Sequence, residues 1–282
     1  MQGFHISRIA INPHHEMYRD LIAALGGGLA ELGHPCTTGV NTLVSGAVNI
    51  LVGSTIFAAR HYRLAEQLRG RPYVVYQLEQ LDNAAGLLRE WPEYLDLLRG
   101  AAWIWDYSPA GAEFLRREGL RRVSHLPPAH HPALESFRPR PSPDLDVAFC
   151  GSPSPRRARL LEALAAAGIR GAHSSGLYGE ERDRLLAGAR IALNLHAWDG
   201  LPQLETVRLS HLLANHCFVI SETADHNPYG DGVVYADYDE LVPACLSWLS
   251  RPEEERRRVA GRGYAELRRR GMTDELRRVL AE

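Results

Sequence analysis

Val147-Ala148-Phe149-Cys150-Gly151-Ser152-Pro153-Ser154-Pro155-Arg156-Arg157 reads as a strand, a glycine turn and the start of a helix over Arg156–Ala167. The pattern repeats downstream. Strands are expected at Ile191–Leu195, Phe218–Ser221 and Gly232–Tyr235, with helices at Glu205–Asn215 and Tyr238–Leu249. After Pro252 the tail is helical, with Glu253, Glu254 and Glu255 in the first turn and Arg256, Arg257 and Arg258 behind them, a polarity that suits the helix dipole. Upstream, strands are expected at Ile6–Ile11, Asn49–Gly53, Tyr73–Tyr76 and Trp103–Asp106. Helices are expected around Glu16–Leu32, Phe57–Leu68, Trp91–Leu98 and Pro109–Glu118. Short apolar runs alternating with amphipathic helices imply parallel βα units and a doubly wound α/β sheet.

Six prolines, Pro127, Pro128, Pro132, Pro139, Pro141 and Pro143, crowd the middle of the chain and cannot continue a helix or a central strand. They mark a linker, so the chain divides into a domain over 1–140 and a second beginning at 141. Two Rossmann-like doubly wound domains would face a cleft at the carboxyl ends of their strands, where ligands of such folds bind.

The 282 residues suffice for two domains, and 45% hydrophobic with 23% charged residues is ordinary for a globular protein. A formal charge of -2 gives no basic field aimed at nucleic acid or anionic lipid. An arginine-rich face could still touch lipid weakly. No apolar run reaches bilayer-spanning length and the first residues lack a signal-peptide pattern, so a cytoplasmic location is expected. Every basic residue is arginine. Schiff-base chemistry and a P-loop lysine are therefore excluded, and a cation that meets phosphate must be a guanidinium. Cys36, Cys150, Cys217 and Cys245 are far apart and form no CxxC pair, so a zinc or redox motif is not expected.

The unusual polar residues follow the strands. Gly151 and Ser152, with Arg156 or Arg157 behind them, form a turn and helix N-terminus able to meet phosphate, or a simple cap. Asn194 and His196 end one strand; Glu205 then opens a helix, with Arg208 one turn on. Glu205 suits the helix dipole and equally suits a ribose, whose two hydroxyls a carboxylate can accept. Ser221 and Glu222 end the next strand, before a polar loop with Asp225, His226 and Asn227. In the first half, His14 and His15 follow the first strand, Glu79 the third and Asp106 the fourth. Each of these four could act as a general base. The carboxylates could instead cap helices, and Ser108 before Pro109 is itself a cap signal. The adjacent histidines lack HxxxH or HExxH spacing, so no metal is expected.

Taken in order, Tyr76-Gln77-Leu78-Glu79-Gln80, Trp105-Asp106-Tyr107-Ser108, Leu126-Pro127-Pro128, Phe149-Cys150-Gly151-Ser152, Gly176-Leu177-Tyr178-Gly179-Glu180, Leu193-Asn194-Leu195-His196, Glu205-Thr206-Val207-Arg208-Leu209 and Leu213-Ala214-Asn215 before Val219-Ile220-Ser221-Glu222 resemble a bacterial glycosyltransferase of the GT-B fold. The chain is similar to the glycosyltransferase family 1 and spore-maturation-type groups from about Val74 to Glu255, most specifically in the second half. The resemblance implies transfer of a sugar from a nucleotide-diphosphate sugar to an acceptor hydroxyl. The donor would be held by the second domain (141–265) and the acceptor by the first. Gly151, Ser152 and Arg156 or Arg157 would lie near the diphosphate, and Tyr178 and Gly179 near the base. Glu205 would hold the ribose with Arg208 beside it, while Asn194, His196, Ser221 and Glu222 line the same donor side. No metal cofactor is implied, because arginines and helix N-termini stabilise the leaving diphosphate. A last helix, 266–282, would return to the first domain. The chain departs from the family in lacking lysine and in lacking a second glutamate eight residues after Glu205, where Leu213 stands. Two other readings of the same residues are a degenerate nucleotide- or sugar-binding partner protein and a nucleotide-sugar epimerase. Donor base, sugar, acceptor and oligomeric state are not legible.

Overall fold

A parallel strand whose neighbours cross over through helices must bury both faces, and the central strands here are apolar throughout. In the computed structural model, which describes residues 3–10, 13–56, 66–81, 88 and 92–282 (backbone only at 13–15 and 56), two separate sheets form. The chain divides into one unit of Met1–His131 with Gly271–Glu282 and another of Pro132–Arg270. The sequence expectations are a division at 140/141, from the prolines, and one at 265/266, from the family resemblance.

The first unit holds β1 (Phe4–Arg8), β2 (Cys36–Val40), β3 (Val48–Val52), β4 (Tyr73–Gln77), β5 (Trp103–Asp106) and β6 (Val123–His125), with sheet order β2-β1-β3-β4-β5-β6. Every pairing is parallel. β3 and β4 are buried at all five positions. Ile9, Leu51, Val75, Tyr94, Leu98, Ile104 and Leu115 form a core beneath them, each fully buried aliphatic side chain contributing about 1.5–3 kcal/mol. The helices are α1 (Arg19–Glu31), α2 (Tyr94–Gly100) and α3 (Pro109–Arg117). The expected helix over Phe57–Leu68 lies mostly outside the described residues. A last helix, numbered α9 in chain order (Met272–Leu280), packs on α1, where Gly28 leaves no room for a side chain because a Cβ would stand 2.8 Å from Leu276.

The second unit holds β7 (Leu145–Cys150), β8 (Gly171–Ser174), β9 (Ala189–Asn194), β10 (Val219–Glu222) and β11 (Val234–Ala236), ordered β11-β10-β9-β7-β8 and again all parallel. Its helices are α4 (Pro155–Ala166), α5 (Glu180–Ala187), α6 (Thr206–Ala214), α7 (Leu241–Ser250) and α8 (Glu253–Arg268). Phe149, Leu160, Ile191, Leu193, Phe218, Ile220 and Leu241 sit in its core. The stretch after Pro132 is fastened to this unit and is not a loose tether. Asn215 accepts the N–H groups of Ser136 (2.7 Å) and Phe137 (2.8 Å) and donates to the Leu134 carbonyl (2.7 Å).

β7 lies between β8 and β9, so the chain's crossovers run in opposite directions from it. The carboxyl ends of β7 and β9 therefore bound the crevice where this topology places ligands.

Candidate functional site

Ser154 caps α4 by accepting the Arg157 N–H at 3.2 Å, with Pro155 at the first helical position. That cap sends two consecutive arginines in different directions, since neighbours on a helix are about 100° apart. Arg157 turns to the end of β9. It donates to the carbonyls of Leu195 (2.5 Å), His196 (3.2 Å) and Ser152 (2.8 Å), and its guanidinium carbon stands 5.0 Å from the Phe149 ring centroid. Burial, with the charge of Arg208 adding to it, pushes Arg157 down to about 10, so it remains a cation at neutral pH.

Arg208, the third residue of α6, spans the crevice. It donates to the Cys150 carbonyl at the end of β7 (3.1 Å) and to Asn194 at the end of β9 (2.8 Å), 5.2 Å from the same Phe149 ring. Its pKa is lowered by burial, against the opposing charge of Glu205. Neither Arg157 nor Arg208 forms an ion pair with a carboxylate among the described residues. Two cations thus share one aromatic ring at the crevice with only neutral oxygens for partners. Gly151 is required here by close approach: a Cβ would stand 2.6 Å from Phe149 and 3.1 Å from Arg208.

Arg156 goes the other way. Its two terminal nitrogens pair with both oxygens of Glu222 at 2.7 and 2.6 Å, its Nε meets Asp199, and its guanidinium lies 3.9 Å from the Tyr238 ring centroid. Burial opposes its charge, but the bonds to Glu222 and Asp199 outweigh that and raise its pKa. Glu222 also accepts the His196 N–H at 2.7 Å. Arg156 and Glu222, both expected on the donor side, are paired with one another here. Asn194 and Ser221 are likewise turned inward: Asn194 donates to Ser221 (3.0 Å), which donates to the Glu222 carbonyl (2.9 Å). Through Asn194 this chain of bonds holds Arg208 in place.

His196 donates from Nε2 to the Thr223 carbonyl at 3.1 Å, which leaves Nδ1 buried without a partner. Glu205 stands at the cap position of α6, yet its carboxylate caps nothing and makes no hydrogen bond among the described residues. Ser152 is exposed. Gly179 caps α5 with φ 55° and ψ −135°, a conformation open to glycine, and Tyr178 before it is half-buried.

The first-unit candidates are differently placed. Glu79 is half-buried and accepts the Tyr18 hydroxyl at 3.0 Å. Asp106 is fully buried and accepts both the N–H (2.9 Å) and the hydroxyl (3.2 Å) of Ser108, which caps α3. It thereby braces the start of that helix. His14 and His15 lie in a 3-10 turn, Pro13–Tyr18, with side chains outside the described residues. Among the described residues, no group of three His, Cys, Asp or Glu could hold a metal ion, and no helix is long and apolar enough to cross a membrane.

Sequence reasoning missed Phe149 as the ring between two cations, and Asp199 and Tyr238 as the partners of Arg156. The only signal was position, each standing at or just after a strand end.

A family profile described as "Glycosyl transferase-like" matches residues 134–275. Two uncharacterised proteins of Acanthamoeba polyphaga mimivirus are similar. One is 33% identical over 112 residues, covering 37% of this chain and 39% of its own length. The other is 27% identical over 172 residues, covering 56% of each. The chain thus matches about half or less of the length of these relatives, and their viral source gives no support to a bacterial origin. Among solved structures, an alpha-glucosyltransferase in complex with UDP and a 13-mer DNA containing a HMU base superposes with a TM-score of 0.65 at 11% identity over all of both chains. AviGT4, a glycosyltransferase involved in avilamycin A biosynthesis, gives 0.57 at 16% identity over 100% of this chain and 98% of its own. These likenesses establish the GT-B fold, and with the family match they make the chain a member of the glycosyl transferase-like family.

Proposed function

We propose that the protein transfers a sugar from a nucleotide-diphosphate sugar to an acceptor hydroxyl, and that the Pro132–Arg270 unit holds the donor. The observation that carries this reading is the pair Arg157 and Arg208. Two enclosed guanidiniums at the topological crevice, hydrogen-bonded only to neutral oxygens and with Glu205 as a nearby charge, suit a diphosphate's negative charge. As the bond from the anomeric carbon to the diphosphate oxygen breaks, the departing electron pair adds charge where these cations already stand, which lowers the barrier without a metal. The Glu205 carboxylate, which makes no hydrogen bond among the described residues, is suited to accept two ribose hydroxyls. The Tyr178–Gly179 turn would meet the base. Arg156 supports this site by holding the neighbouring loop and does not touch phosphate. If the reaction inverts, the acceptor proton needs a base, and Glu79 takes that role; no second glutamate stands eight residues from Glu205, which has Leu213 after it and Ala197 before it.

Thermal-shift titration against UDP, GDP, dTDP, ADP and CMP, with and without magnesium, tests the reading. A ligand at about 100 times its dissociation constant stabilises by roughly 2.7 kcal/mol. One nucleotide should raise the midpoint without magnesium, and Arg208→Gln should reduce the rise at the same nucleotide concentration. No shift with any nucleotide overturns the donor site; a shift that needs magnesium overturns its metal independence.

A further inference from the structure

We infer that Trp198 is a stacking platform for a pyranose ring, a proposal that rests on the donor-site reading above. Trp198 is 56% exposed, on the loop that leaves β9, and makes no ring contact among the described residues. Trp105, by contrast, is 1% exposed. The loop that carries Trp198 is not loose. The carbonyls of Leu195 and His196 accept from Arg157, and the His196 N–H binds Glu222 at 2.7 Å. Beyond the indole, Asp199 is bound by Arg156, and the Pro202 carbonyl accepts the Asp225 N–H at 3.0 Å.

A buried ion pair between Arg156 and Glu222 thus anchors the residues on both sides of Trp198, whose indole is exposed to solvent. An exposed aromatic face on an anchored loop lowers the ordering cost when a ligand arrives, because the backbone that carries it is already placed. Such a face suits the C–H bonds of a sugar ring, the one substrate group every sugar transfer includes. The ring also shares its anchors with the proposed diphosphate cradle, since Arg157 binds the two carbonyls at the start of the loop. The sugar can come from the donor or from an acceptor saccharide; the chemistry at the indole is the same.

The test compares wild-type protein with Trp198→Ala and Trp198→Phe, all full length. Calorimetry would measure UDP, UDP-glucose, and methyl α-glucopyranoside added in the presence of UDP (or the matching nucleotide pair if the thermal panel selects another base). UDP affinity should be the same in all three proteins. Trp198→Ala should lose roughly three- to tenfold in affinity for one sugar-bearing ligand, and Trp198→Phe should keep most of it. Loss with UDP-glucose assigns the donor sugar; loss with the glucoside assigns an acceptor sugar. Equal affinities for both in all three proteins overturn the proposal. If the wild-type protein binds neither UDP nor UDP-glucose, the donor-site reading fails instead. The glucoside then decides by fluorescence: a change seen in the wild type and missing from Trp198→Phe upholds stacking, and its absence overturns it.

Discussion

The two sheets share one strand order and differ in what stands at the strand ends. Numbered within each unit, the second sheet runs 2-1-3-4-5 and the first runs 2-1-3-4-5-6. Their crevices therefore fall at equivalent places, beside the end of the first strand. In the first unit the cation there, Arg8, is bound by Glu16 at 2.6 Å. In the second, Arg157 and Arg208 are left with carbonyl and amide oxygens. One topology thus gives a neutralised edge and a charged cradle. The backbone positions the crevice; the side chains decide whether it attracts an anion.

The largest expected effect concerns the ion pair that frames the cradle. Glu222→Gln takes the buried carboxylate from Arg156 and leaves it only the solvent-exposed Asp199 as a charged partner. Breaking such a pair costs roughly 3–5 kcal/mol, and urea unfolding should register that order of loss. The contrast between the units weakens if the variant unfolds at the wild-type urea midpoint.

Next is the cradle itself. Arg208→Gln should lower nucleoside-diphosphate affinity by about 1.5–3 kcal/mol, the range for hydrogen bonds to a charged group, or roughly ten- to hundredfold. Arg8→Gln, at the equivalent crevice of the first unit, should leave it unchanged. Titration calorimetry of both variants breaks the comparison if they lose affinity equally.

These two residues also mark how far the sequence could be read. The buried strands were legible because both faces are apolar: Trp103–Asp106 coincides with β5, and Val147–Cys150 falls within β7. The polar edge strands were not. β2 reads Cys-Thr-Thr-Gly-Val and β8 Gly-Ala-His-Ser, and with one long side open to solvent neither needs an apolar run. Gly151, Glu205 and Arg208 were legible as candidates because they follow strands. The division of labour between Arg156 and Arg157 was not, because a one-residue step around a helix sends one guanidinium to β10 and the other to β9. Glu222 looked like a ligand-facing carboxylate for the same reason: its partner is distant in sequence, and only folding brings them together.

A smaller effect, again in the second unit, depends on pH. Asp183 on α5 is buried, which alone would raise its pKa. Bonds from His211 (3.0 Å) and Ser136 (2.6 Å) and the Arg182 charge outweigh that and hold it at about 2, below the ordinary 3.8. A depressed carboxylate contributes stability that is complete above the unfolded value and is lost as pH falls through the folded one. The window is therefore from about pH 4 down to about pH 2, and the contribution is roughly 2 kcal/mol. Asp183→Asn should lower stability at neutral pH and flatten that acid limb in urea melts taken across the window. An unchanged limb would remove Asp183 as its source.

The smallest effect belongs to the first unit and completes the contrast. Arg8 and Glu16 form an ion pair whose glutamate is about one-third exposed, and the Arg8 bond, opposed by partial burial, lowers the Glu16 pKa. Water competes for both charges there, so Glu16→Gln should cost no more than about 1 kcal/mol, with less lost at high salt. Its consequence for binding is the sharper measurement. If neutralisation by Glu16 is what keeps the first crevice from attracting anions, Glu16→Gln leaves Arg8 as an uncompensated cation at a strand end, as Arg157 and Arg208 are. Calorimetry with inorganic pyrophosphate, run on Arg208→Gln alone and with Glu16→Gln added, should then show weak, salt-sensitive binding only in the double variant. No binding in either protein would mean that a cation at the crevice is insufficient, and that the cradle also requires the second guanidinium and the shared ring of Phe149.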